Sequence, residues 1–356
     1  MSYTLRALGW NDAFAQQFAA YAAEGYSVGR IALEHKHLYR IYTEQGELLG
    51  EIAGKMRFTA CGRDDYPAVG DWVVIRPRLE EKKATIHAIL PRTSKFSRKV
   101  AGETMEEQIV AANVDTVFLV NALNNDFNLR RIERYLILAW ESGATPVLIL
   151  SKADLCDDID QKVAEVESVA FGVPIHVISS EQHQGLDAIQ PYLREGTTIA
   201  LLGSSGAGKS TLINRLYGDD RQKVKEVREG DDRGRHTTTH REMILLPNGG
   251  LVIDTPGMRE LQLWDADEGF QDAFEDIESL AADCRFRDCT HGKEPGCAVK
   301  TAIKNGSLNP ERYANYLKLQ RELAYLARKE DVKLQVAEKE KWKKIHMAAR
   351  QGKPRP

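Results

Sequence analysis

The chain has 356 residues, 42% apolar and 28% charged, with five cysteines and a net charge of −3. That length supports two or three domains, each with its own core, and no apolar run approaches the roughly 20 residues that span a bilayer. No basic-then-apolar leader opens the sequence and the sparse cysteines make no disulfide framework, so a reducing, cytoplasmic setting without a membrane is expected. The net charge hides an asymmetry. Residues 332–356 carry eight Lys or Arg against only Glu338 and Glu340, a local +6 that leaves the rest of the chain at −9. A basic tail on an acidic body suits a polyanionic partner as well as a solvated helix end.

In chain order, Leu5 to Glu24 mixes alanine, glutamine and aromatics at helical spacing, and residues 1–28 are expected to form a helical N-terminal extension. Residues 29–92 then carry short β-rich runs: Leu38–Tyr42, Leu48–Ile52, Asp71–Ile75 and Ala84–Ile89. About five short strands in some sixty residues predict a small closed barrel. An oligonucleotide-binding (OB) barrel is the first choice and an SH3-like barrel the second, because strand counting does not separate them. From residue 95 strands alternate with helices: Val114–Val120, a helix from Leu129 to Trp140 capped by Asn128, Pro146–Leu150, a helix over 159–170, Ile175–Ile178, Thr198–Leu202 and Leu251–Asp254. This alternation predicts a parallel sheet covered by helices over 95–262. Residues 263–331 read as a helical domain holding a Cys/His cluster, and 332–356 as a basic C-terminal helix or tail, within a long charged helix from about Asn309 to Arg350. The fold class expected is therefore multidomain α/β.

The motifs that carry chemistry stand in an unusual order. Gly203-Ser204-Ser205-Gly206-Ala207-Gly208-Lys209-Ser210-Thr211 fits the phosphate-loop pattern and lies between an apolar strand and a helix. Its glycines let successive N–H groups face phosphate oxygens, with the helix N-terminus adding positive potential. Lys209 would reach the β- and γ-phosphates and the Ser210 hydroxyl would coordinate Mg²⁺. Some fifty residues earlier comes Ser151-Lys152-Ala153-Asp154, a base-reading motif after a strand. One carboxylate, Asp154, accepts both guanine N1–H and its 2-amino group. Adenine would leave that carboxylate unpaired. The Lys152 stem can pack over the purine, and Ser179 and Ser180, after the next strand, can supply backbone contacts to guanine. The usual motif has Asn where this chain has Ser151, so an amide that bridges base and phosphate loop is replaced by a shorter hydroxyl.

Asp254-Thr255-Pro256-Gly257 follows a later strand and matches D-x-x-G. Asp254 would hold Mg²⁺ through water and the Gly257 N–H would sense the γ-phosphate. Between loop and strand lies Gly230 to His240, with three threonines. One of them would complete the Mg²⁺ shell, and Thr238 is preferred. Such segments order around γ-phosphate and loosen after hydrolysis. Where many GTPases place a water-orienting glutamine stands Met258, which cannot serve. His236 is the candidate to orient water, and a surface histidine in a loop is the competing reading.

Cys284-x4-Cys289-x-His291-x5-Cys297 places four ligands within fourteen residues. Three thiolates and one imidazole suit tetrahedral zinc with no open position, a structural site. Arg285, Arg287, Lys293 and Lys300 surround it and could touch RNA phosphates. In the barrel region Lys36, His37, Arg40, Lys55, Arg57, Arg63 and the run Arg92 to Lys99 add positive charge with interleaved aromatics, compatible with RNA or with a solvated surface.

Taken together, these features resemble the circularly permuted GTPases of the ribosome small-subunit-dependent GTPase A family. The resemblance spans nearly the whole chain and is most specific at Gly234 to Thr239, Asp254 to Arg259 and the cysteine spacing. It implies an OB barrel, a permuted GTPase domain and a helical zinc domain, with one structural zinc and Mg²⁺ with GTP. It further implies a monomer that binds the small ribosomal subunit and its rRNA late in maturation and hydrolyses GTP faster when bound. The core would then be a nucleotide-gated clamp between two RNA contacts. A phosphate-loop kinase or ATPase offers no role for Asp154, and an RNA-binding protein that only senses GTP predicts no stimulation by subunits.

Overall fold

The computed structural model describes residues 3–35, 38–99, 107–218, 241–254, 267–292 and 294–328. Its contacts divide the chain into two units, Met1–Gln262 and Leu263–Pro356. Helix α1 (Asp12–Ala23) opens the first unit, with the Asn11 side chain accepting from the Phe14 N–H at 3.1 Å. It is shorter than the helical spacing predicts, because residues 5–9 fold as turns. Its aromatics explain the extension. Trp10 and Phe14 pack on the fully buried Trp72 at ring distances of 4.7 and 5.9 Å, so α1 covers apolar barrel surface.

Strands β1 (Ser27–His35), β2 (Leu38–Thr43), β3 (Gly46–Ile52), β4 (Trp72–Arg78) and β5 (Lys83–Ile89) pair in the order β1-β2-β3-β5-β4, and β4 returns to β1. The β3–β5 pair is parallel and the others antiparallel. Short helix α2 (Gly54–Thr59) crosses between β3 and β4. A closed five-stranded barrel with this pairing is OB-type, which decides between the two barrels strand counting left open. Alternate residues fill it: Ile31, Tyr39, Ile41, Leu48, Ile52, Val73, Ile75, Ala84 and Ile86 form its core. Buried Arg30 ties the barrel to its surroundings. It donates to the carbonyls of Gly70 (3.1 Å), Leu8 (2.5 Å) and Asn113 (2.8 Å), and burial lowers its pKa to about 10.

A two-stranded sheet that the sequence reading did not anticipate, β6 (Lys95–Lys99) with β7 (Glu107–Ala112), leads to the larger sheet. That sheet comprises β8 (Thr116–Ala122), β9 (Thr145–Ser151), β10 (Ile175–Val177), β11 (Thr198–Gly203), β12 (Glu242–Leu245) and β13 (Leu251–Asp254), in the spatial order β10-β9-β8-β11-β13-β12. All pairs but one are parallel; β12 runs antiparallel to β13. Helices α3 (Leu129–Ser142), α4 (Ile159–Glu167) and α5 (Lys209–Tyr217) accompany the strands. Asn128 caps α3 as expected, accepting from the Arg131 N–H at 3.1 Å. The run Val117–Val120 is wholly buried, as a central parallel strand requires. Numbered around a closed circle from the phosphate-loop strand β11, the order is 6-5-4-1-3-2. The chain therefore enters the sheet at its fourth strand, which is the permutation. At the far edge β12 pairs with barrel strand β1 through Leu33 and Glu242, so the barrel and the larger sheet form one continuous eleven-stranded sheet.

The second unit contains α6 (Asp267–Ala273), α7 (Glu275–Ala282), α8 (Ala298–Asn305) and α9, which covers residues 310–328. It has a small core of its own: Phe270, Phe274 and Tyr316 meet at 5.1–5.4 Å, and Ile277, Val299 and Leu319 are buried. Arg312 pairs with Asp276 at 2.7 Å beside them. The remainder of the expected long helix and the basic tail lie outside the described residues. Among the described residues no helix is long and apolar enough to cross a membrane.

Candidate nucleotide site and metal centre

The phosphate loop leaves β11 at Gly203 and enters α5 at Lys209. The three glycines of the loop are needed by geometry, Gly206 through its φ of +77°. A Cβ on Gly203 would lie 2.3 Å from the Val120 carbonyl of the neighbouring strand, and Gly208 has a φ of +90°. The Lys209 ammonium spans the loop, donating to the carbonyls of Gly203 (2.7 Å) and Ser204 (2.6 Å). It is thus fixed over the loop between strand end and helix start. Ser210 follows in the first turn of α5, and Asp254 ends β13, two strands from β8 on the same carboxyl edge. Ligands of parallel sheets bind at that edge.

The base-reading motif leaves β9 on the same edge. Ser151 does not lose the tie to the phosphate loop: its buried hydroxyl donates to the Ala207 carbonyl at 2.7 Å. Lys152 adopts the left-handed conformation, φ 59°, costly for a residue with a side chain and tolerated where a site over-determines the backbone. It opens the turn that presents Asp154. The Ser179 hydroxyl then donates to Asp154 Oδ1 at 2.5 Å while accepting the Gln182 N–H at 3.1 Å. Ser180 is held from the other side, its carbonyl accepting from Arg215 Nε of α5 at 3.1 Å. The site residues Gly203 to Thr211, Ser151, Lys152, Asp154, Ser179, Ser180 and Asp254 are therefore brought to one edge. His236, Thr238 and Gly257, with Met258, lie outside the described residues.

Several residues here escaped the sequence reading. Asp126, in the loop after β8, accepts from the Ser204 hydroxyl and pairs with Arg131 at 2.9 Å. Partial burial works against its ionisation, but the bonds from Ser204 and Arg131 and the nearby Lys152 outweigh it and hold the carboxyl below its usual range. Lys162 of α4 fixes the same loop through the Leu123 carbonyl at 2.6 Å. The signal for Asp126 was available: Asn124-Asn125-Asp126 is turn-forming sequence directly after a strand of a parallel sheet. Arg215 had no such signal.

In the second unit, Cys284, Cys289, His291 and Cys297 have ligand atoms within 4.8 Å of one another. His291 Nδ1 lies 3.6 Å from Cys284 Sγ and 3.4 Å from Cys297 Sγ, and the two sulfurs are 3.9 Å apart. A zinc tetrahedron with bonds of about 2.3 Å to sulfur and about 2.05 Å to nitrogen has edges of about 3.8 and 3.5 Å. The donor set suits that ion, the three edges among Cys284, His291 and Cys297 match it, and Cys289 completes the group within 4.8 Å. Cys297 also begins α8, its sulfur accepting the Lys300 N–H at 3.4 Å.

The basic residues assigned to RNA contact divide. Arg40, Lys55, Arg57 and Arg63 are partly or fully exposed, as is Phe58, 91% accessible. Arg92 is not available. It clasps the buried Asp71 through two bonds of 2.7 and 2.8 Å and donates to the carbonyls of Asp64 and Tyr66. Phe96 is buried and cannot stack on a base. Lys36, His37 and Lys293 lie outside the described residues.

A sequence model of the RsgA GTPase family matches residues 89–264. The small ribosomal subunit biogenesis GTPase RsgA of Opitutus terrae is 49% identical over 356 residues, covering 98% of this chain and 97% of that protein. The chain belongs to the RsgA GTPase family. A second member, RsgA 1 of Oceanobacillus iheyensis, is 47% identical over 92% of this chain and 93% of its own length. Among solved structures, YjeQ from Thermotoga maritima aligns with a TM-score of 0.63 at 30% identity, over 84% of this chain and 99% of that one. YloQ, described as a circularly permuted GTPase, aligns at 0.60 and 26% identity, over 84% and 95%. The likeness to a circularly permuted GTPase agrees with the reversed motif order.

Proposed function

We propose that this RsgA-family GTPase binds the small ribosomal subunit and its rRNA, assists late maturation of the subunit, and hydrolyses GTP to GDP and phosphate faster when bound. The observation that supports the nucleotide choice is the Ser179–Asp154 bond, which holds a carboxylate at the turn after β9, able to accept both guanine donors. Lys209 holds the β- and γ-phosphates, and the N–H groups of Gly203 to Thr211 cradle them. Mg²⁺, when bound, neutralises charge between the β- and γ-phosphates. Ser210, Thr238 and, through water, Asp254 would hold it, and the Gly257 N–H would sense the γ-phosphate. With Met258 unable to orient water, His236 takes that role, so that unassisted turnover is slow. Cys284, Cys289, His291 and Cys297 bind one structural zinc that fixes the segment between α7 and α8. The protein acts as a cytoplasmic monomer, with exposed Arg40, Lys55, Arg57 and Arg63 of the barrel meeting RNA phosphates.

Hydrolysis of GTP measured with and without purified small subunits tests this reading. The expected outcome is acceleration by subunits, with GTP but not ATP competing for the site. A rate indifferent to subunits would remove the assembly role, and equal competition by ATP would remove the role of Asp154.

A further inference from the structure

One row of residues joins the barrel to the nucleotide site. Arg40 of β2 is the register partner of Leu33 on β1, Leu33 of Glu242 on β12, and Glu242 of Asp254 on β13. Antiparallel register partners direct their side chains to the same face. Arg40, Glu242 and Asp254 therefore share a face of the continuous sheet, and Arg40 reaches across Leu33 to bond Glu242 Oε1 at 3.1 Å. Its Nε lies 3.9 Å from Glu47 as well. The Tyr42 hydroxyl donates to the Met243 carbonyl at 3.4 Å, and Arg241 approaches Glu34 at 4.0 Å. Strand β12, which begins three residues after Thr239, is thus fastened to the barrel on one side and to the Asp254 strand on the other.

We propose that Arg40 is a shared cation, held by Glu242 in the free protein and drawn off by RNA phosphodiesters on the barrel, so that RNA binding and the charge beside Asp254 are coupled. The inference rests on the reading of the barrel as an RNA surface. Arg40 is 42% exposed and Glu242 34%, so the pair is open to competition. A guanidinium matches a phosphate with two parallel bonds, which a single bond to Glu242 does not equal. Glu242 directly opposes Asp254, and like charges so placed repel. Arg40 offsets that repulsion. Once Arg40 turns to phosphate, the Glu242 charge acts on Asp254 and favours a divalent cation there. Linkage makes the effect reciprocal: cation and nucleotide at Asp254 favour release of Arg40 to RNA.

The test uses the full chain with Glu242→Gln, Arg40→Gln and the double variant, and binding to a short single-stranded RNA and to purified small subunits. Glu242→Gln is expected to tighten RNA binding about twofold to fivefold, the span of a part-exposed ion pair. Arg40→Gln weakens it and reduces the salt slope by about 0.7, one phosphate contact. In the Arg40→Gln background the Glu242 change should have no effect, and Arg40→Lys should restore part of the salt slope. Half-saturating Mg²⁺, read by nucleotide fluorescence in the GDP complex, should fall when RNA is added to the parent and stay fixed in either single variant. If the parent binds neither RNA nor subunits, the functional reading itself fails. If the parent binds and is stimulated, yet Glu242→Gln acts equally with and without Arg40, the shared cation is refuted while the functional reading stands.

Discussion

Replacing Ser151 with Ala separates the two jobs of the base-reading motif. The hydroxyl is buried and donates to the Ala207 carbonyl at 2.7 Å, and Ala207 is itself fully buried. A net hydrogen bond contributes about 0.5–1.5 kcal/mol, and a carbonyl left without its donor costs about 1–3 kcal/mol. The bond exists without nucleotide, so its loss falls first on stability: about 1–2 kcal/mol, or about 2–6 °C in melting temperature for a domain of this size. GTP affinity should fall by less than about tenfold, because only the part of the bond that keeps the loop in place enters binding. Guanine preference should not change, since Asp154 is held separately by Ser179. Thermal melts with and without GDP, beside competition of a fluorescent guanine nucleotide by ATP, check all three. An unchanged melt with lost guanine preference would refute the reasoning, because it would mean that Ser151 acts on the base rather than on the loop.

Ser179→Ala should do the converse, weakening guanine nucleotides about tenfold to a hundredfold in fluorescence titrations, since a hydroxyl bonded to a carboxylate contributes about 1.5–3 kcal/mol. Arg30→Met strands the carbonyls of Leu8, Gly70 and Asn113 together. A loss of about 3–5 kcal/mol is expected in urea unfolding, and early proteolysis of the N-terminal segment should accompany it. Cys289→Ser, or chelation of the parent, should release one zinc per chain and lower the helical circular dichroism of the second unit, with the nucleotide affinity of the first unit retained. His236→Ala should slow subunit-stimulated hydrolysis and leave GTP affinity nearly unchanged; equal stimulated rates would exclude histidine as the water-orienting group.

The particular elements show why some features were legible and others were not. Asn128 announced the start of α3 because a cap is a local bond between a side chain and an N–H three residues on. The cysteine spacing announced its cluster because ligands within fourteen residues need little of the fold to meet. Strand β12 was not read, being four residues long with only its two central residues buried. Arg92 was misjudged as a contact for RNA because its charge is visible in sequence while buried Asp71, 21 residues away, is not. The turn that carries Asp126 was legible, but the same limit hid its partner Ser204, 78 residues distant.

The linear sequence by itself carried the motifs: a phosphate-loop pattern, a carboxylate proposed to select guanine, a D-x-x-G aspartate and a zinc-type ligand set, together with their reversed order. These depend on residue type and short spacing, which act locally. Tertiary structure alone decided the OB pairing of the barrel, the bond of the Ser151 hydroxyl to the Ala207 carbonyl, and the row from Arg40 to Asp254. Those depend on strand register between segments as much as 200 residues apart. Register is set by packing the whole sheet at once, and no short stretch of sequence encodes it.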